Sequence, residues 1–170
     1  MSIRDDLQAV EHRVAAACAR AGRKREEVTL VAVSKTKPAE MIDEAIAAGV
    51  ADLGENRVQE AREKKPLVRG SARWHLIGHL QSNKAKDAVR LFDVIQTIHS
   101  ADLAEKVARA AASAGKVQDV LIEVNIGNEP QKSGAAPADA AALAGNVRKL
   151  DALRLRGVMA IPPHDDARRW

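Results

Sequence analysis

Short apolar, β-branched runs alternate with helical patterns along nearly the whole chain. Residues 28–34 (VTLVAVS) form a run of the kind a fully buried parallel strand needs. Pro38 then stands where a first helical turn tolerates it. Met41, Ile42, Ala45 and Ile46 make one helical face, and Gly49 is placed to end that helix. A brief strand at 51–53 leads through Gly54, Glu55 and Asn56 into a charged helix that Pro66 stops. Residues 73–78 (RWHLIG) read as a strand, and Ser82 is placed to cap a helix running to about Leu91. Residues 93–98 (DVIQTI) read as strand again, and Leu103, Val107, Ala110 and Ala114 mark a helical face closed by Gly115. The next strand spans 117–125 (VQDVLIEVN), a loop runs through 126–136, and Pro137 opens an alanine-rich helix to about Leu150. Residues 153–161 (LRLRGVMAI) make a sixth strand. Ahead of the first strand, Ile3, Leu7, Val10, Val14 and Cys18 describe an amphipathic helix ending at Gly22, which makes Cys18 a small core residue.

Repeated strand–helix units mean a parallel sheet, either open and doubly wound or closed as a barrel. Ser34, Lys35, Thr36 and Lys37 stand where a dinucleotide site after the first strand would carry glycines. The strand starts, near 28, 51, 73, 93, 118 and 154, fall about 25 residues apart on average. Both features favour an α/β fold of the (β/α)8 TIM-barrel type. Such a barrel needs eight units and about 250 residues, rarely fewer than about 200. Only about six units are present. The expected organisation is one domain over residues 1–170, incomplete at its C-terminal end by about 50 residues.

Composition narrows the classes. The 170 residues are 46% hydrophobic and 29% charged, enough apolar material for a packed core rather than a disordered chain. No apolar stretch approaches the roughly 20 residues of a membrane span, and the N-terminus lacks the apolar stretch of a secretory signal. Cys18 is the single cysteine, which excludes an internal disulfide framework. The expected compartment is the cytoplasm. Lys and Arg exceed Asp and Glu by 27 to 23. The basic residues are interspersed with acids, and only Trp74, Phe92 and Trp170 offer stacking surfaces, so solvated helix faces are read here rather than a nucleic-acid surface.

Chemistry in such barrels sits at the carboxyl ends of the strands. Lys35 ends the first and most apolar strand, where burial and nearby cations would lower its pKa and free the lone pair that attacks an aldehyde. A surface lysine is the competing reading, and Lys37 is the neighbouring alternative. Asn56, His79, His99, Asn125 and Met159 stand at or near the other strand ends, a ring suited to a small polar ligand. His75 and His79 are too far apart along a strand, about 13 Å, to share a metal, and His12 and His164 suggest no role.

The residues at 31–38 (VAVSKTKP), 54–60 (GENRVQE) and 74–84 (WHLIGHLQSNK) resemble the pyridoxal phosphate homeostasis protein family. Val124 and Asn125 with Glu129, Lys132 and Gly134, then the stretch 157–162 (GVMAIP), continue the likeness in order. The resemblance implies a barrel related to the N-terminal domain of alanine racemase. It also implies that Lys35 carries pyridoxal 5′-phosphate as an internal aldimine, with Asn56 against the cofactor and Met159 as a further cofactor contact. Family members are thought to buffer or deliver the cofactor, with apo-enzymes as recipients, and no robust turnover is generally assigned to them. The family pattern continues past Trp170 into segments that hold most of the phosphate contacts.

Three functions compete: a cofactor carrier without a committed reaction, a cofactor-dependent enzyme such as an amino-acid racemase, and a cofactor-free lysine aldolase. Racemization in the alanine racemase manner pairs the lysine with a tyrosine, and this chain has no tyrosine. The carrier is the expected function. The complete family fold is expected to be a monomer, and this shorter chain to self-associate along its open strand edges.

Overall fold

The structure, a computed structural model, describes residues 2–129 and 132–162. His164 and Trp170 lie outside the described residues. Helix α1 (Ile3–Arg20) precedes six strands joined by five helices: β1 (Val31–Val33), α2 (Ala39–Ala47), β2 (Asp52–Glu55), α3 (Val58–Lys64), β3 (Arg73–Leu76), α4 (Ala85–Leu91), β4 (Val94–Ile98), α5 (Ala101–Ser113), β5 (Gln118–Glu123), α6 (Ala140–Val147) and β6 (Leu153–Met159). All five neighbouring pairs are parallel, and the sheet runs β1-β2-β3-β4-β5-β6. A doubly wound sheet reverses its strand order at a switch point. This one never reverses, as expected for six consecutive staves of a (β/α)8 barrel.

Burial is greatest in the middle staves. Leu76, Ile95 and Val120 stand side by side in register across β3, β4 and β5, each fully buried. Leu103, Ala104, Val107, Ala108 and Ala111 form the stripe of α5 that covers the sheet, and the Ser100 hydroxyl caps the helix by accepting from the Leu103 N–H. Gly115, at φ 64°, closes it in the left-handed conformation as its sequence position suggested. The buried Gln118 amide donates to the carbonyls of Asp93 (2.8 Å) and Asp119 (3.2 Å), tying the start of β5 to β4. On α1 only Cys18 is buried, in keeping with its reading as a small core residue.

Several expectations need adjustment. The run at 28–34 yields a strand of only three residues, and Val33 is 50% exposed rather than buried. Its position explains this, because among the described residues β1 pairs only with β2. The opposite edge behaves likewise: β6 pairs only with β5, and Val158 is 66% and Ile161 54% exposed. Ser82 does not cap a helix by its side chain. It opens a 3-10 turn, Ser82–Lys84, that continues into α4. Pro38 and Pro137 also stand one step from their expected places, Pro38 as the N-cap of α2 and Pro137 opening a 3-10 turn before α6.

Replacing the central Ile95 by alanine should destabilise the fold by about 2–5 kcal/mol in urea denaturation. Val158→Thr, on the exposed edge strand, should change stability by less than about 0.5 kcal/mol. Similar losses from the two would mean that the core is not centred on β3–β5.

Candidate binding site at the carboxyl ends of the strands

Parallel pairing brings the carboxyl ends of all six strands to one rim, and a cavity of about 520 Å³ opens there. Lys35, Asn56 and Met159, the three residues singled out from sequence, all line it. Lys37 does not. It borders a separate hollow between β1, α1 and α2 with Ile3 and Met41, which separates the two neighbouring lysines by surroundings.

Lys35 is bracketed on both sides. The preceding Ser34 is buried, donates its N–H to the Gly54 carbonyl at 3.0 Å and its hydroxyl to Glu55 Oε1 at 2.7 Å. The Lys64 amine reaches from α3 to donate to the Ser34 carbonyl (2.7 Å), to Glu55 (2.8 Å) and to Glu60 (2.7 Å). On the far side Thr36 has φ 63°, uncommon for a β-branched residue, and its N–H donates to Glu60. The Lys37 N–H donates to the Ser34 carbonyl at 3.1 Å and closes the turn.

Burial of the Lys64 amine works to lower its pKa, and the hydrogen bonds to Glu55 and Glu60 outweigh it, holding the group above the ordinary lysine value. Its stabilising contribution is complete at neutral pH and is lost only as pH rises through that raised value. Glu60 is held below the ordinary glutamate value, chiefly by the Lys64 hydrogen bond, so its contribution is lost only as pH falls through the lowered value.

Lys35 itself is exposed, not walled in as its sequence position suggested. It stands at the edge of the sheet beside half-exposed Val33, so apolar cover is thin there. Lys35 has no hydrogen-bond or salt-bridge partner among the described residues.

Asn56 is fixed by an unusually close approach of β3. A Cβ on Gly78 would fall 2.2 Å from the Asn56 carbonyl oxygen, so only glycine fits at that point. The next residue, His79, lines the cavity and stacks on His99 with ring centroids 4.9 Å apart. Asn125 is not part of this cavity. Its amide donates to the carbonyls of Glu129 (2.9 Å) and Lys132 (3.3 Å), and so holds the loop after β5.

Three lining residues escaped the sequence reading: Gln96, Glu123 and Ser133. Glu123, the last residue of β5, is 5% exposed; Oε1 accepts from the Ser133 hydroxyl at 2.8 Å, while Oε2 is buried without a partner. Gln96 donates to Nδ1 of buried His75 (2.9 Å), whose Nε2–H donates to Asp52 (2.7 Å). The available signal was an acid and an amide inside otherwise apolar strands, VLIEVN and DVIQTI. Among the described residues no cluster of three or more His, Cys, Asp or Glu is gathered to hold a metal, and no helix is long and apolar enough to cross a membrane.

Residues 6–169 match the alanine racemase N-terminal domain. The pyridoxal phosphate homeostasis protein of Escherichia coli K12 is 43% identical over 164 residues, covering 94% of this chain and 70% of that protein. The chain belongs to the pyridoxal phosphate homeostasis protein family. A solved structure of PipY from Synechococcus elongatus, described as having PLP bound, is 37% identical with a TM-score of 0.73, over 89% of this chain and 71% of that one. Alanine racemase of Clostridium difficile, 18% identical over 83% of this chain and 37% of its own, has a TM-score of 0.71 and shares the fold. Within this family frame, the three cavity residues from three different strands fall on the rim where barrel enzymes place their chemistry.

Lys64→Met should leave the fully buried Glu55 carboxylate without its cation and cost about 3–5 kcal/mol in urea denaturation. Glu55→Gln combined with Lys64→Met should recover a substantial part of that loss. A single-variant loss under about 1 kcal/mol would show that the Lys35 turn does not depend on this cluster.

Proposed function

We propose that this chain binds pyridoxal 5′-phosphate in the strand-end cavity through the Lys35 amine, and serves as a cytoplasmic carrier that buffers the cofactor and delivers it to apo-enzymes. The observation that carries this reading is the meeting of Lys35, Asn56 and Met159 in one cavity of about 520 Å³, a volume suited to a small-molecule ligand. The residues present fit such a group. Lys35 Nζ has no hydrogen-bond partner among the described residues, Gly78 packs tightly against the Asn56 backbone beside the cavity, and Glu123, whose Oε2 is buried without a partner among the described residues, belongs to the lining. When bound, the cofactor supplies an aldehyde that a lysine amine holds covalently and reversibly.

The residues of the chain divide the work. Ser34 and Thr36 flank Lys35, and Asn56 and Met159 bound the ligand from the second and sixth strand ends.

Lys35→Ala should abolish the visible absorption of bound cofactor while helical circular dichroism stays intact. Borohydride reduction followed by mass spectrometry should place the adduct on Lys35, and an adduct on Lys37 or Lys84 would overturn the assignment. The unpaired sides of β1 and β6 carry a second expectation. A polypeptide of these 170 residues should self-associate, with a light-scattering mass that rises with concentration. A concentration-independent monomer mass would show that the edges are protected.

A further inference from the structure

We infer that a hollow beside the Lys35 cavity, lined by Arg57, His79 and Lys84, is a subsite for a small oxyanion: the carboxylate of an amino or 2-oxo acid, or a free phosphate. Its volume is about 320 Å³, and it shares Asn56 and His79 with the cavity that contains Lys35, so the two are contiguous. The chain builds it from two consecutive strand ends. Arg57 is the extended residue before α3, His79 follows the tight Gly78 approach, and Lys84 ends the 3-10 turn before α4.

The electrostatics select the ligand. No carboxylate lines the hollow, and its remaining polar residues are amides: Asn56, Gln59 and Gln81. Arg57 and Lys84 form no ion pair among the described residues. The acids of the adjoining helix are committed elsewhere. Glu60 accepts from Lys64 at 2.7 Å and from the Thr36 N–H, and Glu63 accepts from the Gln59 amide at 2.6 Å. Two cations therefore line a hollow that holds no carboxylate among the described residues, although Glu60 lies within electrostatic reach of Arg57, and stacking on His99 limits how the His79 ring turns. A guanidinium fork beside an ammonium group matches the paired oxygens of a carboxylate or phosphate. Contiguity with the Lys35 cavity gives the subsite its use. An amino acid anchored here by its carboxylate would present its amine toward the cofactor side. That use rests on the reading of Lys35 above, whereas the subsite itself does not.

The test titrates the cofactor-free chain with pyruvate and, separately, with inorganic phosphate by calorimetry, in the wild type and in Arg57→Gln/Lys84→Gln. Pyridoxal phosphate uptake is followed in parallel by visible absorption. At least one probe should bind the wild type saturably and lose about tenfold or more in affinity in the double variant. Cofactor uptake should change by less than about twofold. Stronger binding of pyruvate identifies a carboxylate subsite, and stronger binding of phosphate a phosphate subsite. Absence of saturable binding to the wild type, unchanged binding to the double variant, or a parallel tenfold loss of cofactor would each overturn the separate subsite. Probe binding through Arg57 and Lys84 by a chain that takes up no cofactor would uphold the subsite and sink the reading of Lys35.

Discussion

A parallel strand pair cannot be joined by a tight turn, so each strand here is followed by a helix that carries the chain back before the next strand begins. Carried through six strands without a reversal of order, that constraint puts every strand's carboxyl end on the same rim. Lys35, Asn56, His79, Gln96, Glu123 and Met159 lie far apart in sequence, and each comes from a different strand or its following loop. The pairing itself gathers them. It also decides where the fold is weak. The middle strands β3, β4 and β5 have neighbours on both sides and bury Leu76, Ile95 and Val120 completely, whereas among the described residues β1 and β6 each have one neighbour and leave Val33 and Val158 half or more exposed.

Lys35 lies on one of those weak edges, and the polar cluster around it compensates. An edge strand of three residues offers few ladder bonds to fix the turn that follows it. The buried Glu55 and the Lys64 amine supply the missing restraint, clasping the Ser34 carbonyl and hydroxyl, while Glu60 holds the Thr36 N–H. Such a buried pair contributes little net stability, since desolvating both charges opposes their attraction. Its value is geometric. It holds the residues on either side of Lys35, including the left-handed Thr36, in one conformation and leaves the lysine side chain itself unbound.

The alternation of strands and helices, the rim position of Lys35 and the parallel architecture were legible in the sequence, because apolar runs and glycine and proline punctuation report local geometry directly. What was not legible depends on neighbours distant in sequence. The run 28–34 has the composition of a buried central strand, and nothing within it says that among the described residues only one side of it is paired. Ser82 has the chemistry of a cap, yet the chain enters α4 through a 3-10 turn that places the hydroxyl past the capping position. Asn125 looked like one more polar strand end and proved to be the clasp of its own loop, since its amide reaches Glu129 and Lys132 nearby in the chain. Glu123 and Gln96 were hidden for the opposite reason. They lie inside apolar strands, where nothing local marks which face of the sheet they take.

The openness of the site bears on what it can do. Rate acceleration by a cofactor enzyme depends on excluding water and on fixed dipoles around the reacting atoms. Reversible storage asks for less: a correctly aimed amine, a surface for the ring and a path for release. On the proposed reading of this cavity, Lys35 held between Ser34 and Thr36 would supply the first, and Asn56 and Met159 on its lining would supply the second.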